Sequence, residues 1–114
     1  MLMHSLYFKL HDSGDAPVEE FMEICRRHLV PHEGIASAFI GRRADIPRDV
    51  VDKDYDVCVA LLFSDITFHD RYQVAELHLA FREKYSPRWS GVRIFDSDVE
   101  SVDPRGGSPT RRSA

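Results

Sequence analysis

The sequence of 114 residues contains few of the features that mark a secreted or membrane-bound protein. It has only two cysteines, Cys25 and Cys58, each in an apolar stretch and without a CxxC motif. We therefore expect two reduced, buried thiols in a cytoplasmic protein. No apolar run approaches the roughly 20 residues that cross a bilayer. The N-terminus also lacks the basic and small-residue regions of a signal peptide, so no membrane partner is expected.

Concentrated positive charge and the common cofactor motifs are also lacking. The formal net charge is −4, and the arginine pairs at 26–27, 42–43 and 111–112 are short and well separated. Binding to nucleic acid needs a continuous basic surface, so no such partner is predicted. The sequence has no glycine-rich phosphate loop and no G-x-S-x-G nucleophile motif. No cofactor is predicted.

The composition is that of one folded domain followed by a short tail. Hydrophobic residues make up 43% and charged residues 30%, values that argue against a disordered chain. From residue 100 onward the sequence is rich in Gly, Pro, Ser and Arg and has no aromatic residue. We predict a domain over residues 1–99 and a disordered tail over residues 100–114.

The order of predicted elements indicates an α+β protein. Pro17 suits the first turn of a helix, and Pro31 and Gly34 end it. Ser64 and Asp65 form a capping pair before the next helical segment, which Pro87 ends. The strands are predicted at 2–10, 35–41, 55–63 and 89–95, and the helical segments at about 16–30 and 65–85. The order β-α-β-β-α-β predicts a ferredoxin-like, four-stranded antiparallel sheet with its helices on one face.

The third strand predicts that the other face of this sheet is covered as well. Tyr55, Val57, Val59, Leu61 and Phe63 form one alternating set. The other set is Cys58, Ala60 and Leu62, which is also apolar. A strand with one wet face alternates apolar and polar residues, so this strand is expected to be buried on both sides. Two helices cover only one face, and we therefore predict a homodimer through the sheet faces.

These elements carry a set of residues in a recurring order. His4 leads into Phe8-Lys9-Leu10, the 55–63 strand precedes a helix with Tyr72 and His78, and the chain continues into the strand Val92-Arg93-Ile94-Phe95-Asp96. Over residues 2–98 the chain resembles the stress-responsive α/β-barrel (Dabb) family of dimeric ferredoxin-like barrels. Most members have no assigned activity. A plant member is a polyketide cyclase that closes a linear tetraketide by aldol condensation.

The resemblance implies three site residues. The Tyr and His proposed as the acid–base pair of the plant cyclase match Tyr72 and His78, and its early strand His matches His4. A further His on its third strand corresponds here to Val57. The implied catalytic residues are therefore Tyr72, His78 and His4, with no third-strand partner.

Two interpretations of Tyr72 and His78 are open from the residues alone. A His can remove a proton next to a carbonyl group while a Tyr hydroxyl polarises the oxygen. The two are six positions apart, about 120° around an ideal helix, so they converge only if the helix breaks between them. Alternatively, Tyr72 packs its ring with a wet hydroxyl and His78 bonds a backbone carbonyl.

The remaining histidines do not predict a metal site. His28 and His32 have i, i+4 spacing, but Pro31 interrupts the helix that would align them. His11 and His69 are expected on the surface.

Three functions are open. The first is a homodimeric domain without assigned activity that binds a small apolar ligand between sheet and helices. The second is a small cofactor-free enzyme of the cyclase or enolisation type that uses Tyr72 and His78. The third is a relative of quinol monooxygenases, which are also dimeric ferredoxin-like barrels.

Overall fold

A computed structural model describes residues 1–106 as a sheet with helices on one of its faces. The strands are β1 (Leu2–Leu10), β2 (Ile35–Arg42), β3 (Val57–Phe63) and β4 (Trp89–Asp98), and the helices are α1 (Asp15–Leu29), α2 (Ile66–Val74) and α3 (Glu76–Tyr85). The strands pair antiparallel in the order β2-β3-β1-β4. The predicted ferredoxin-like α+β architecture is confirmed. No helix within residues 1–106 has the length and apolar character needed to cross a membrane.

The core lies between the sheet and the helices. In β1 the even-numbered residues from His4 to Leu10 are buried, as are the odd-numbered residues of β3 from Val57 to Phe63. Helix α1 covers them with an apolar stripe in which Phe21, Cys25 and Leu29 are fully buried. The buried faces of the strands and the apolar stripe of α1 therefore pack against each other in one layer.

The second helical segment is broken, which meets the condition that the spacing of Tyr72 and His78 set for their convergence. Helix α2 begins after Asp65, whose carboxylate accepts a hydrogen bond from the Thr67 N–H. It ends before Ala75, whose backbone is extended (φ −65°, ψ 141°), and α3 begins at Glu76. The Ala75 N–H donates to the Tyr72 carbonyl at 3.2 Å, which satisfies a carbonyl group at the end of α2. This break changes the direction of the chain between the two site residues.

One glycine sets the position of α2 on the sheet. Gly34 has a φ of +84°, a conformation that other residues rarely adopt, and a Cβ there would lie 2.1 Å from the ring of Phe68. The Gly34 carbonyl also accepts a hydrogen bond from the Ser64 N–H at 2.9 Å. The approach of Phe68 to this bare backbone brings α2 close to the start of β2.

Tyr55 does not lie where the alternation predicted. Regular pairing of β3 starts at Val57. Before it, the Asp56 N–H donates to the Phe8 carbonyl, and the Asp56 carboxylate accepts from the Leu10 N–H at 2.8 Å. These bonds are not part of the regular ladder, and Tyr55 packs on Tyr7 of the opposite face with ring centroids 5.0 Å apart. The prediction that Tyr55 shares a face with Val57 was wrong.

The face of the sheet opposite the helices carries an apolar patch that is uncovered in the single chain. Phe39 and Phe95 are 64% and 55% exposed, and Tyr7, Ala60 and Leu62 are half-buried there. Cys58 lies on this face as a half-buried free thiol, so the expectation of two buried thiols holds only for Cys25. The molecule is 18 Å along its shortest axis, the thickness of one sheet and one helical layer.

The predicted tail extends past the described part of the chain. Residues 107–114 lie outside the described residues. Within the preceding segment, the Asp103 carboxylate accepts hydrogen bonds from the backbone and guanidinium of Arg105. The disordered tail over residues 100–114 stays a prediction.

Candidate functional site

A cavity of about 740 Å³ lies between α3 and strands β1 and β4. Its polar wall includes His4, Gln73, His78 and Arg82. The rest of the wall is mainly apolar and includes Leu6, Phe8, Leu29, Leu79, Phe81, Trp89, Val92 and Ile94. Apolar walls with a few convergent polar groups are typical of sites for small molecules.

The break at Ala75 brings together the three residues that the family resemblance implied. The rings of Tyr72 and His78 have centroids 4.4 Å apart, and Tyr72 and His4 are 5.5 Å apart. The three side chains are buried, with exposed fractions of 1%, 6% and 1% for Tyr72, His78 and His4. His4 and His78 line the cavity, whereas Tyr72 lies beside them and is not part of its wall. One cluster therefore contains all three residues, but only two of them border the cavity.

His78 is held by a backbone carbonyl and still faces the cavity. Its Nδ1 donates to the Gln73 carbonyl at 3.2 Å, so Nε2 is the nitrogen with the lone pair. Burial lowers the pKa of His78 to about 4, although the Gln73 carbonyl opposes the shift. Arg82, His32 and His4 lower it further. His78 is therefore a neutral proton acceptor at physiological pH.

Tyr72 combines complete burial with an unsatisfied hydroxyl group. Its Oη has no hydrogen-bond partner among the described residues, and burial raises the pKa of the phenol far above its ordinary value. The ring packs against His32 and Phe63, with centroids 4.8 and 5.3 Å away. One interpretation of the sequence placed the Tyr72 hydroxyl in contact with solvent. The hydroxyl is instead buried, and it stays protonated as a hydrogen-bond donor.

His4 is oriented by a carboxylate from the neighbouring strand. The register of β1 and β4 places His4 directly opposite Asp96, and Nδ1 of His4 donates to Asp96 Oδ1 at 2.5 Å. Burial lowers the pKa of His4, while the hydrogen bond to Asp96 opposes the shift. The other nitrogen, Nε2, is buried and has no partner within residues 1–106. Asp96 was not among the predicted site residues.

His69 is the second residue that sequence reasoning missed. It was expected on the surface, but its side chain is only 12% exposed, and its ring lies 4.9 Å from that of His4. The reason is the position of α2, which directs this residue toward the end of β1. Its Nε2 lies 3.9 Å from Asp96 Oδ2.

His28 and His32 each donate a hydrogen bond from one ring nitrogen to a backbone carbonyl of α1. His28 Nδ1 donates to the Ile24 carbonyl at 2.9 Å, and His32 Nε2 donates to the His28 carbonyl at 2.7 Å. They do not face one another as metal ligands would. The ring of His32 packs against Tyr72 of the cluster, whereas the ring of His28 packs against Tyr85.

No protein-family model and no curated protein matches the chain. Solved structures match it across most of its length. A Dabb family protein from Mesorhizobium loti with a ferredoxin-like fold is 21% identical, with a TM-score of 0.71 over 86% of this chain and 95% of that chain. A dimeric ferredoxin-like protein of unknown function from Thermobifida fusca is 14% identical, with a TM-score of 0.69 over 86% and 90%.

An enzyme has the same fold. A cofactor-independent oxygenase from Streptomyces nogalater is 12% identical, with a TM-score of 0.68 over 90% of this chain and 96% of that chain. At these identities the similarity concerns the fold. The chain has the ferredoxin-like fold of the Dabb family protein, and the resemblance predicted from the sequence is confirmed at that level.

Proposed function

We propose that this protein binds a small, mainly apolar molecule in the cavity between α3 and the sheet. The observation that carries the proposal is the cavity itself, whose largely apolar wall also contains His4 and His78. A neutral His78 accepts a hydrogen bond from a hydroxyl group of the ligand. Arg82, on the same wall, favours a ligand with a carbonyl or an anionic group. An aromatic ring with hydroxyl and carbonyl substituents matches this combination.

Calorimetric titration with hydroxylated aryl ketones tests the binding proposal. We expect at least one compound of the panel to bind at micromolar concentration, and Leu79→Trp to abolish its binding by filling the cavity. Val74→Trp is the matched control, because Val74 is exposed and does not line the cavity. If no compound binds below millimolar concentration, or if both variants bind equally, the cavity is not a ligand site.

We propose acid–base catalysis by Tyr72 and His78 as the second candidate function. In this reaction the His78 Nε2 takes a proton from the carbon next to a carbonyl group. The C–H electron pair becomes the enolate, and the Tyr72 hydroxyl donates a hydrogen bond to its oxygen. The 4.4 Å ring separation and the unpartnered hydroxyl favour this chemistry. The position of Tyr72 outside the cavity wall ranks it below simple binding, since the ring must shift to reach a ligand.

Exchange of α-protons for deuterium separates the two candidates. An enzyme of this kind catalyses exchange in a bound ketone, and both Tyr72→Phe and His78→Asn abolish it while the ketone still binds. Binding without exchange leaves the first function and eliminates the second.

The quinol monooxygenase alternative would require dioxygen as the oxidant. Oxygen uptake in the presence of a bound hydroquinone measures such an oxidation directly.

We propose further that the functional unit is a homodimer through the outer faces of two sheets. Support comes from the exposed Phe39 and Phe95 on an apolar face and from structural neighbours described as dimeric. Exposed apolar patches on a sheet face often mark protein–protein interfaces. Light scattering should give about twice the chain mass of 13.1 kDa. Phe95→Asp should give monomers, whereas Ile66→Asp, at a residue of similar exposure on α2, should not. A monomeric wild-type protein contradicts the proposal.

A further inference from the structure

We propose that His4, His69 and Asp96 form a binding site for one divalent transition-metal ion, such as Zn²⁺. This site shares His4 with the ligand cavity, but His69 and Asp96 do not line the cavity, and the proposal does not rest on the proposed function. It lies where β1, β4 and α2 meet, and one ligand atom from each residue lies within 4.8 Å of the other two. Two imidazoles and a carboxylate are the donors of many three-ligand metal sites in proteins.

The distances fit a metal after small side-chain movements. Zinc bonds of about 2.0–2.2 Å place ligand atoms roughly 3.3 Å apart in a tetrahedron. The observed separations involve the two oxygens of Asp96 and lie on either side of this value, at 2.5 Å from Oδ1 to His4 Nδ1 and 3.9 Å from Oδ2 to His69 Nε2. Asp96 is the most exposed of the three, so its carboxylate can rotate to even out the two distances. The two histidines can keep their places.

His69 presents the correct nitrogen for a metal, which would replace the Gln73 amide as the partner of that nitrogen. Its Nδ1 lies 3.4 Å from Asp70 Oδ1, a position from which the N–H points to the carboxylate. Its Nε2 lies 3.1 Å from the Gln73 side-chain nitrogen, which donates to it, and Nε2 therefore has a lone pair. Metal-binding histidines usually donate their second N–H to an outer carboxylate or carbonyl group. Asp70 occupies that position here.

His4 can exchange its shared proton for a metal ion. Its Nδ1 donates to Asp96, and its Nε2 has no partner among residues 1–106, so no contact on that side fixes the tautomer. Metal binding at Nδ1 requires the tautomer of neutral His4 with its proton on Nε2, and it leaves the Asp96 carboxylate as a ligand. His4 lies on a strand in the core with 1% exposure, which keeps its ring in place before the metal arrives.

The donor set selects the class of metal. Imidazole nitrogen favours zinc, copper, nickel and cobalt, whereas magnesium and calcium prefer sites made only of oxygen. Three protein ligands leave one tetrahedral position for water. The exposed side of Asp96 provides the path by which an ion enters.

Calorimetric titration of the untagged full-length protein with Zn²⁺ tests the site. We expect one ion per chain, a dissociation constant in the micromolar range or below, and a higher melting temperature. His69→Gln and Asp96→Asn should each weaken binding at least tenfold. His11→Gln removes an exposed histidine and should bind as the wild type does. Circular dichroism of each variant establishes that it is folded.

Co²⁺ provides a readout that does not depend on affinity alone. Bound to two nitrogens and a carboxylate in a tetrahedron, it should give strong visible absorption bands that His69→Gln loses. Equal Zn²⁺ affinity of His69→Gln and the wild type, or binding that His11→Gln weakens as much, would overturn the proposal. Either result leaves the ligand cavity unaffected, because His69 and Asp96 do not line it.

Discussion

The two ends of the layer between the helices and the sheet are chemically different. At one end, Phe8, Phe21, Phe81 and Trp89 pack with ring centroids between 5.0 and 6.1 Å apart. At the other end, His4, Tyr72 and His78 fill the same depth with polar rings. Aromatic rings at these distances attract each other beyond their burial in the core. The aromatic end therefore stabilises the fold.

The polar end destabilises the fold relative to an apolar core of the same shape. His4 Nε2 and Tyr72 Oη are buried without partners among the described residues. An unsatisfied buried polar group costs about 1–3 kcal/mol. Unsatisfied polar groups are often found where a protein acts on a ligand, because a functional site needs donors and acceptors that are free to meet it. Both ends contribute to the cavity wall, and the comparison assigns most of the stability to the aromatic rings and the recognition of polar ligand groups to the histidines.

The largest effect on stability is expected from a substitution at the aromatic end. Phe21 is 0% exposed and contacts Phe8, Phe81 and Trp89. Phe21→Ala should lower the free energy of unfolding by about 3–5 kcal/mol, because it leaves a cavity in a packed core. Urea denaturation measures the loss, with the half-exposed Leu79→Ala as control. A loss below 1 kcal/mol would show that this end is not the stabilising one.

A smaller effect concerns pH and the polar end. The pKa of His78 is about 4 in the folded protein and near 6.5 in the unfolded chain. The unfolded chain therefore binds more protons between these values, and the free energy of unfolding falls as the pH falls below about 6.5. The lowered pKa of His4 acts in the same direction. From His78 we expect a loss of about 1–2 kcal/mol between pH 7 and pH 5.

His78→Asn is the matched variant for this measurement. The Asn amide can still donate to the Gln73 carbonyl, but it does not titrate. The variant should lose less stability between the two pH values than the wild type. Identical pH profiles would show that His78 does not carry the effect.

The smallest effect is expected from the Tyr72 hydroxyl. Tyr72→Phe removes a buried group that has no partner among residues 1–106, so the free energy of unfolding should stay constant or rise by up to about 1 kcal/mol. Tyr85→Phe on α3 serves as control and should stay within about 0.5 kcal/mol. If Tyr72→Phe destabilises the protein by more than 1 kcal/mol, its hydroxyl has a structural partner and the contrast between the two ends weakens.

Local patterns were enough to predict most of the fold. Alternation located β1 and β3 to within two residues, and the position of Pro17 located the start of α1. The helix break near Ala75 was identified only as a condition, since Tyr72 and His78 cannot converge on one straight helix. The sequence did not decide whether the break occurs.

Contacts between distant segments could not be predicted in this way. Asp96 meets His4 only because the register of β1 and β4 pairs residues 92 positions apart. His69 was misplaced because the docking of α2 depends on the approach of Phe68 to Gly34, which lies far from His69 in the chain. Tyr55 was assigned to the wrong face because the bonds of Asp56 interrupt the alternation. Register and docking angle depend on the assembled core.

The imidazole NMR spectrum in a titration with a hydroxylated aryl ketone tests the central claim, that the polar end is a ligand site, most directly. We predict saturable shifts of the His78 and His4 side-chain nitrogens and none for His11, with Leu79→Trp abolishing the shifts. Binding that leaves His78 and His4 unchanged, or that shifts His11 equally, would contradict the account.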